Sequence, residues 1–391
     1  ELRKESKLLS PAIPRQTSER GVIMSKNGLP RKPLTKRRLK NLILNVLKNP
    51  FNMVVLVSLI ILFCLIIIPL LTMISSTFTL AQGELRRVQG HVGDFTLYYW
   101  KYILTGTMAN AVLWGPLKNS FVCGFFTVLV SVPLGSVLAW LMIRTDIPGK
   151  KVLGLLVTVP YMIPSWTKAL AWLAMFRNST SGANGFLAGM GIPIPDWLAY
   201  GPIAIVLCMS MHYYAFSYIM VSGALRSINS ELEEMGEIQG ASKAQILRHI
   251  TLPLILPSVL SATVMTISKS IGTYGVPANL GNRIGYYTLA TKMRNFIDQG
   301  PQAVGYAMSI VLVLLAAVII FSNQRIVGVR KSYATVSGKG GRATLMPLGK
   351  AKKPLMAFLM VFLFLAMVVP FFVLIMETFQ ITTGAGYGLD N

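Results

Sequence analysis

Ionisable residues are scarce in this chain, and the few that stand in unusual places are where its chemistry has to be sought. Against 37 Lys and Arg there are only 14 Asp and Glu and three His. Four of the acids fall within one short stretch, RSINSELEEMGEIQGASKAQILRHIT, residues 226–251. Ser230 and Glu233 have the S-x-x-E spacing of a capping box, in which each side chain satisfies a free amide at the start of a helix. Gly240 suits the residue just past that helix, where a left-handed backbone is needed. Ser242 and Gln245 form a second capping box for a helix running to about His249, and Pro253 suits the first turn of the helix after it. The stretch reads as a helix–Gly–helix element.

Lys168 and Lys269 are the only charges well inside long apolar runs. Each lies roughly 17 residues from one end of its run, and at about 1.5 Å per residue both reach a similar depth. Two cations at one level suit an anion; the other reading is that both snorkel to the headgroups. His212 stands among Met209, Met211 and Tyr213, a setting that reads as packing rather than as a metal site. Cys64, Cys123 and Cys208 all fall in apolar runs and read as unpaired core or lipid-facing thiols. The sequence has no G-x-x-x-x-G-K-[ST] phosphate loop and no Ser/His/Asp or metal-ligand constellation. The chain is therefore expected to be no enzyme and to hold no cofactor or metal.

The elements that carry these residues are apolar and long. Of the 391 residues 53% are hydrophobic and 13% charged, a balance that points to membrane helices rather than a soluble domain. A spanning helix needs about 20 mostly apolar residues. Seven runs qualify: 51–73, 120–143, 152–176, 202–225, 252–274, 303–321 and 355–376. With the N-terminus inside, the inner segments hold 27 Lys and Arg and the outer ones 8, so the N-terminus is expected in the cytoplasm. The net charge of +23 thus belongs to membrane topology, and no nucleic-acid partner is expected. Residues 1–50 read as a basic cytoplasmic tail, those before Met24 as upstream read-through or simply part of the tail, and no cleavable signal is expected. Residues 326–354 read as a cytoplasmic linker. PLLTMISSTF from Pro69 and PFFVLIMETF from Pro370 share the spacing from Pro to the closing Thr-Phe. We read them as an internal repeat, with 51–325 one six-helix unit and 355–391 the start of a second.

At residues 226–251 and just beyond, the sequence resembles the EAA motif of binding-protein-dependent ABC importer permeases: E-A-A, three residues, Gly, nine residues, Ile, one residue, Leu-Pro. Glu234, Gly240, Ile250, Leu252 and Pro253 stand at those spacings, and Met235 and Gly236 depart from the two alanines. Gly236 lowers helix propensity by roughly 1 kcal/mol. YGVPANLG from Tyr274 and GYYTLATKM from Gly285 are similar to the region after the fifth helix in permeases for ferric iron, phosphonates and polyamines. In the iron and phosphonate branch two six-helix units are often fused. The resemblance implies an all-α polytopic protein of the type I ABC importer permease (MetI-like) fold in a bacterial plasma membrane. It implies as partners a cytoplasmic ABC ATPase dimer docked at 226–251, an extracytoplasmic substrate-binding protein and a second permease unit in the same chain or another. Ferric iron or a phosphonate or other anionic solute is the expected cargo, with Lys168 and Lys269 as candidates for its path. An ion-coupled secondary transporter is the rival, but it calls for intramembrane carboxylates, and none lies well inside a run. A membrane-anchored interaction protein is a second rival; it would have no use for the element from Glu234 to Pro253.

Overall fold

The computed structural model describes residues 50–85, 88–182, 184–228, 230–330 and 345–379. Residues 1–49 of the basic tail, residues 331–344 of the linker and the last twelve residues lie outside them. The chain divides into two compact units at Leu70. Of the first, the described part is most of helix α1 (Pro50–Ser76), a run without one buried residue. The second unit contains everything after it.

Within that second unit, α2 (Tyr98–Leu104) leads through a wide turn at Asn110–Trp114 into α3 (Gly115–Arg144). The bundle then runs through α4 (Lys150–Met162), α5 (Ser165–Phe176) and α6 (Gly201–Ser227). After the short α7 (Ser230–Ile238) come α8 (Lys243–Ile246), α9 (Leu252–Gly272) and α10 (Gly275–Gly281). Next are α11 (Leu289–Gln299) and α12 (Gln302–Arg330), and past the linker α13 (Lys352–Leu363) and α14 (Val369–Glu377). A wide turn at Phe364–Val368 makes α13 and α14 one rod.

Six helices among the described residues are long and apolar enough to cross a membrane, one fewer than the seven runs. The run 152–176 is not a continuous helix. It breaks at Ile163–Pro164, where Ile163 has ψ 130° and Pro164 ψ 141°, into pieces of 13 and 12 residues. Proline pushes the residue before it out of the helical region and cannot donate to the preceding turn. Pro160, one turn earlier, has already taken one donor from the same stretch. Pro133 and Pro257, each the one proline past the first turn of its helix, are accommodated without a break.

The centre of the bundle is the contact of α3 with α6. Small and hydroxylated residues let these helices approach, as in membrane proteins generally. A Cβ on Gly135 would lie 2.7 Å from the Tyr218 backbone nitrogen, so only glycine fits there. Leu138, Met142, Tyr214, Val221 and Leu225 form the core at the end of the bundle carrying residues 226–251, and α4 and α13 add Val157 and Leu359 to it.

The rod 352–377 packs on α5 and is tied at both ends. At one end the Met346 amide donates to the Arg144 carbonyl at 2.8 Å, and the Leu348 amide to Asp146 Oδ1 at 3.0 Å. Lys352 Nζ reaches Asp146 Oδ2 at 3.0 Å. At the other end Arg177 pairs with Glu377 at 3.6 Å. The two similar decapeptides from Pro69 and Pro370 also end alike. Thr77 Oγ1 donates to the Ile74 carbonyl at 2.7 Å and Thr378 Oγ1 to that of Ile375 at 2.6 Å.

Candidate functional site

The stretch 226–251 is built as a hairpin of unequal halves. Its first half is α7, nine residues long. The Ser230 side chain lies outside the described residues, so the first capping box is not seen. Glu233 instead turns inward, toward α3. α7 ends on Gly240 at φ +83°, with the Ala241 amide bonded back to the Gly236 carbonyl at 3.0 Å, a closure that needs the left-handed residue. The second capping box is formed: the Gln245 amide donates to Ser242 Oγ and the Ser242 amide to Gln245 Oε1. Beyond it the chain forms no separate helix to His249. The wide turn Leu247–Thr251 carries the chain straight into α9, so Ile250, Leu252 and Pro253 belong to the root of a 30-residue helical rod. Pro253 has no amide hydrogen for the last turn of the stretch, and the ladder widens just before it.

Gly236 is where the halves meet. A Cβ there would come within 3.2 Å of Ile250 and 3.3 Å of Ile246. The departure from the family's alanine thus sits at a tight contact and brings α7 close to the root of α9. Leu232, Met235 and Ile238, three residues apart on α7, are 47%, 57% and 85% exposed. They form an exposed apolar stripe, with Glu234 half-buried beside it.

The hairpin is held to the bundle by Arg144 and Glu233. Arg144, only 3% exposed at the end of α3, places Nη1 3.0 Å from Glu233 Oε2 and donates from Nη2 to the Leu225 carbonyl of α6 at 3.1 Å. Glu233 Oε1 accepts from Thr251 Oγ1 at 2.7 Å. One buried ion pair therefore joins α3, the end of α6, α7 and the root of α9. In the sequence Arg144 looks like one more basic residue at the end of an apolar run, and Glu233 like a helix cap. Only the Arg-to-Glu spacing across α6 sets them together, and no local pattern announces it.

The two intramembrane lysines converge on one segment of α6 but differ in burial. Lys168 is buried, with Nζ 3.1 Å from His212 Nδ1 and 3.4 Å from the Met211 carbonyl. Lys269 is exposed, with Nζ 5.1 Å from the Phe216 ring centre. Tyr161 bridges the two places, its ring 5.2 Å from His212 and 5.8 Å from Phe216. His212 Nδ1 thus faces the Lys168 ammonium, and no group of three His, Cys, Asp or Glu that could hold a metal ion stands among the described residues. Cys64, Cys123 and Cys208 are free thiols.

Residues 131–331, just over half of the chain, match the sequence profile of the binding-protein-dependent transport system inner membrane component family. The chain belongs to that family. The matched part of this inner membrane component runs from α3 to the end of α12 and includes the whole hairpin. Among its relatives, a protein assigned as a sulfate transport system permease in Marchantia polymorpha is 28% identical over 189 residues, which are 46% of this chain and 62% of that one. The chain thus spans less than two thirds of that relative. A protein assigned as the 2-aminoethylphosphonate transport system permease of Salmonella typhimurium is 28% identical over 232 residues, 59% of this chain and 80% of that one. In fold, the inner membrane component resembles a chain of a bacterial alginate ABC transporter solved with an alginate pentasaccharide-bound periplasmic protein. The TM-score is 0.55 at 17% identity, covering 74% of this chain and 98% of the other.

Proposed function

We propose that the chain is the permease of an ATP-driven ABC importer, that it couples to a cytoplasmic ATPase dimer through residues 226–251, and that its cargo is a small oxyanion such as a phosphonate or sulfate. The observation that carries the coupling is the hairpin itself: an exposed apolar stripe, Leu232, Met235 and Ile238, on a helix whose opposite side is locked to three membrane helices by Arg144 and Glu233. A partner that grips such a stripe moves the membrane helices with it. Glu234 and Gly240 serve the docking face, while Ile250, Leu252 and Pro253 join it to α9. ATP is hydrolysed by the partner, a binding protein delivers cargo on the opposite side, and the N-terminus lies with the hairpin in the cytoplasm.

The cargo class rests on Lys168 and Lys269, which bring two cations to the His212–Phe216 segment without a carboxylate in contact among the described residues. Such a cluster attracts an oxyanion and repels a bare metal cation such as ferric iron. The relatives assigned to sulfate and 2-aminoethylphosphonate transport agree with that class. The path is completed by a second unit, of which the rod 352–377 is the first helix. The matching hydrogen bonds at Thr77 and Thr378 support this repeat.

Affinity purification of the complete reading frame from its native membrane tests the coupling. An ABC ATPase is expected with the native chain and is expected to be lost from a Gly240→Asp variant, whose left-handed turn disfavours a side chain. Absence of any ATPase under mild detergent would overturn the proposal.

A further inference from the structure

Beside the hairpin, at the same end of the bundle, the ends of α3, α4 and α6 enclose a groove of about 690 Å³. That volume lies within the roughly 300–1,000 Å³ of small-molecule sites. Three cations border it, Lys150 and Lys151 from the start of α4 and Arg226 from the end of α6, and among the described residues no acid lines it. Basic residues at a membrane face are ordinary by themselves. Here they surround a polar floor. The Ser222 hydroxyl is buried and completes no hydrogen bond of normal geometry, although the Tyr218 hydroxyl is its neighbour. Tyr218 also lies within electrostatic reach of Arg226. Thr158 adds a third hydroxyl to the lining. Two glycines keep the space open: a Cβ on Gly154 would press on the Tyr218 hydroxyl at 2.8 Å, and one on Gly223 would meet nothing within 4 Å.

We propose that this groove is a binding site for a phosphate-type oxyanion, separate from the Lys168–Lys269 pair. Lys150, Lys151 and Arg226 supply charge, and Ser222 and Tyr218 donate hydrogen bonds to the anion's oxygens. An anionic oxygen accepts from several donors at once, so it answers both the surplus of positive charge and the neighbouring hydroxyls of Ser222 and Tyr218. The same chemistry belongs to the phosphate of an anionic phospholipid in the adjoining leaflet and to a free oxyanion in solution.

The full chain, extracted from its native membrane in mild detergent, is exchanged into phosphatidylcholine vesicles with and without phosphatidylglycerol. Retained lipid is then read by native mass spectrometry, and binding of radiolabelled inorganic phosphate and sulfate by equilibrium dialysis. Two variants are compared: Lys150→Gln/Lys151→Gln/Arg226→Gln, and Gly223→Leu, which fills the groove without touching a charge and replaces a helix-interior glycine. Selective retention of phosphatidylglycerol that both variants lose by at least about tenfold identifies a lipid phosphate as the occupant. Loss of phosphate or sulfate binding in both variants, with no lipid preference, identifies a free anion. Native levels of lipid and anion binding in Gly223→Leu, or loss in the charge variant alone, would overturn the site, because then general surface charge and not the groove holds the anion.

Discussion

At the scale of residues, two neighbouring glutamates of one helix have opposite duties. Glu233 faces inward and balances Arg144, whereas Glu234 is half-buried beside the exposed stripe. Removing one partner of a buried ion pair leaves the other charge uncompensated, at a cost of about 3–5 kcal/mol. Glu233→Ala is therefore expected to lower the unfolding midpoint of the detergent-solubilised chain markedly, and Arg144→Met/Glu233→Met to recover much of the loss. Glu234→Ala is expected to leave the midpoint unchanged while weakening co-purification of the ATPase. Equal midpoints for Glu233→Ala and Glu234→Ala would refute this division. In the same way, Lys168→Ala/Lys269→Ala is expected to reduce oxyanion uptake at least about tenfold with ATPase association intact. Uptake at the native rate would leave both lysines as residues of packing and snorkelling alone.

Between elements, the most extensive contact is that of α3 and α6. Gly135→Val would press a branched side chain into the backbone near Tyr218, and overpacking of this kind costs about 1–3 kcal/mol. Thermal unfolding of the variant in detergent checks this, and an unchanged midpoint would mean that the helices are not in contact there. The tie between the segment leading into α13 and the end of α3 depends on pH. The Leu348 amide, and after it the Lys352 side chain, hold the Asp146 carboxyl below its ordinary value. A lowered folded value means that the attachment is present above the ordinary carboxylate range and weakens as pH falls through the lowered value. Limited proteolysis of residues 345–352 is expected to accelerate in acid, and Asp146→Ala to show the fast rate at neutral pH. A rate independent of pH in the native chain would remove Asp146 from this role.

For the whole molecule, the proposed coupling acts at one end of the bundle. The hairpin, its buried ion pair and the tie to the rod 352–377 all lie at that end, whereas of the two cations on the His212–Phe216 segment Lys168 is buried and Lys269 exposed. In vesicles rebuilt with the ATPase and binding protein, uptake of sulfate or 2-aminoethylphosphonate is expected to require ATP on the hairpin's side and to survive a proton ionophore. Uptake that ignores ATP and collapses with the ionophore would favour an ion-coupled carrier.

Much of this was legible in the residues themselves. Apolar runs of spanning length, the spacing from Glu234 to Pro253, the glycine turn at Gly240 and the capping pair Ser242–Gln245 are local facts, set by backbone sterics and short-range hydrogen bonds. The break at Pro164 was local too, but apolar composition hid it, because hydrophobicity reports where a segment goes and not whether its helix is continuous. Only the tertiary structure decided which acid of α7 turns inward, since Glu233 meets an arginine 89 positions earlier in the chain. The same holds for Lys168 and Lys269, alike in sequence, of which one is buried against His212 and the other left open. Burial and pairing between distant positions depend on how helices pack, and that information is spread over α3, α6 and α9 rather than written at any one residue.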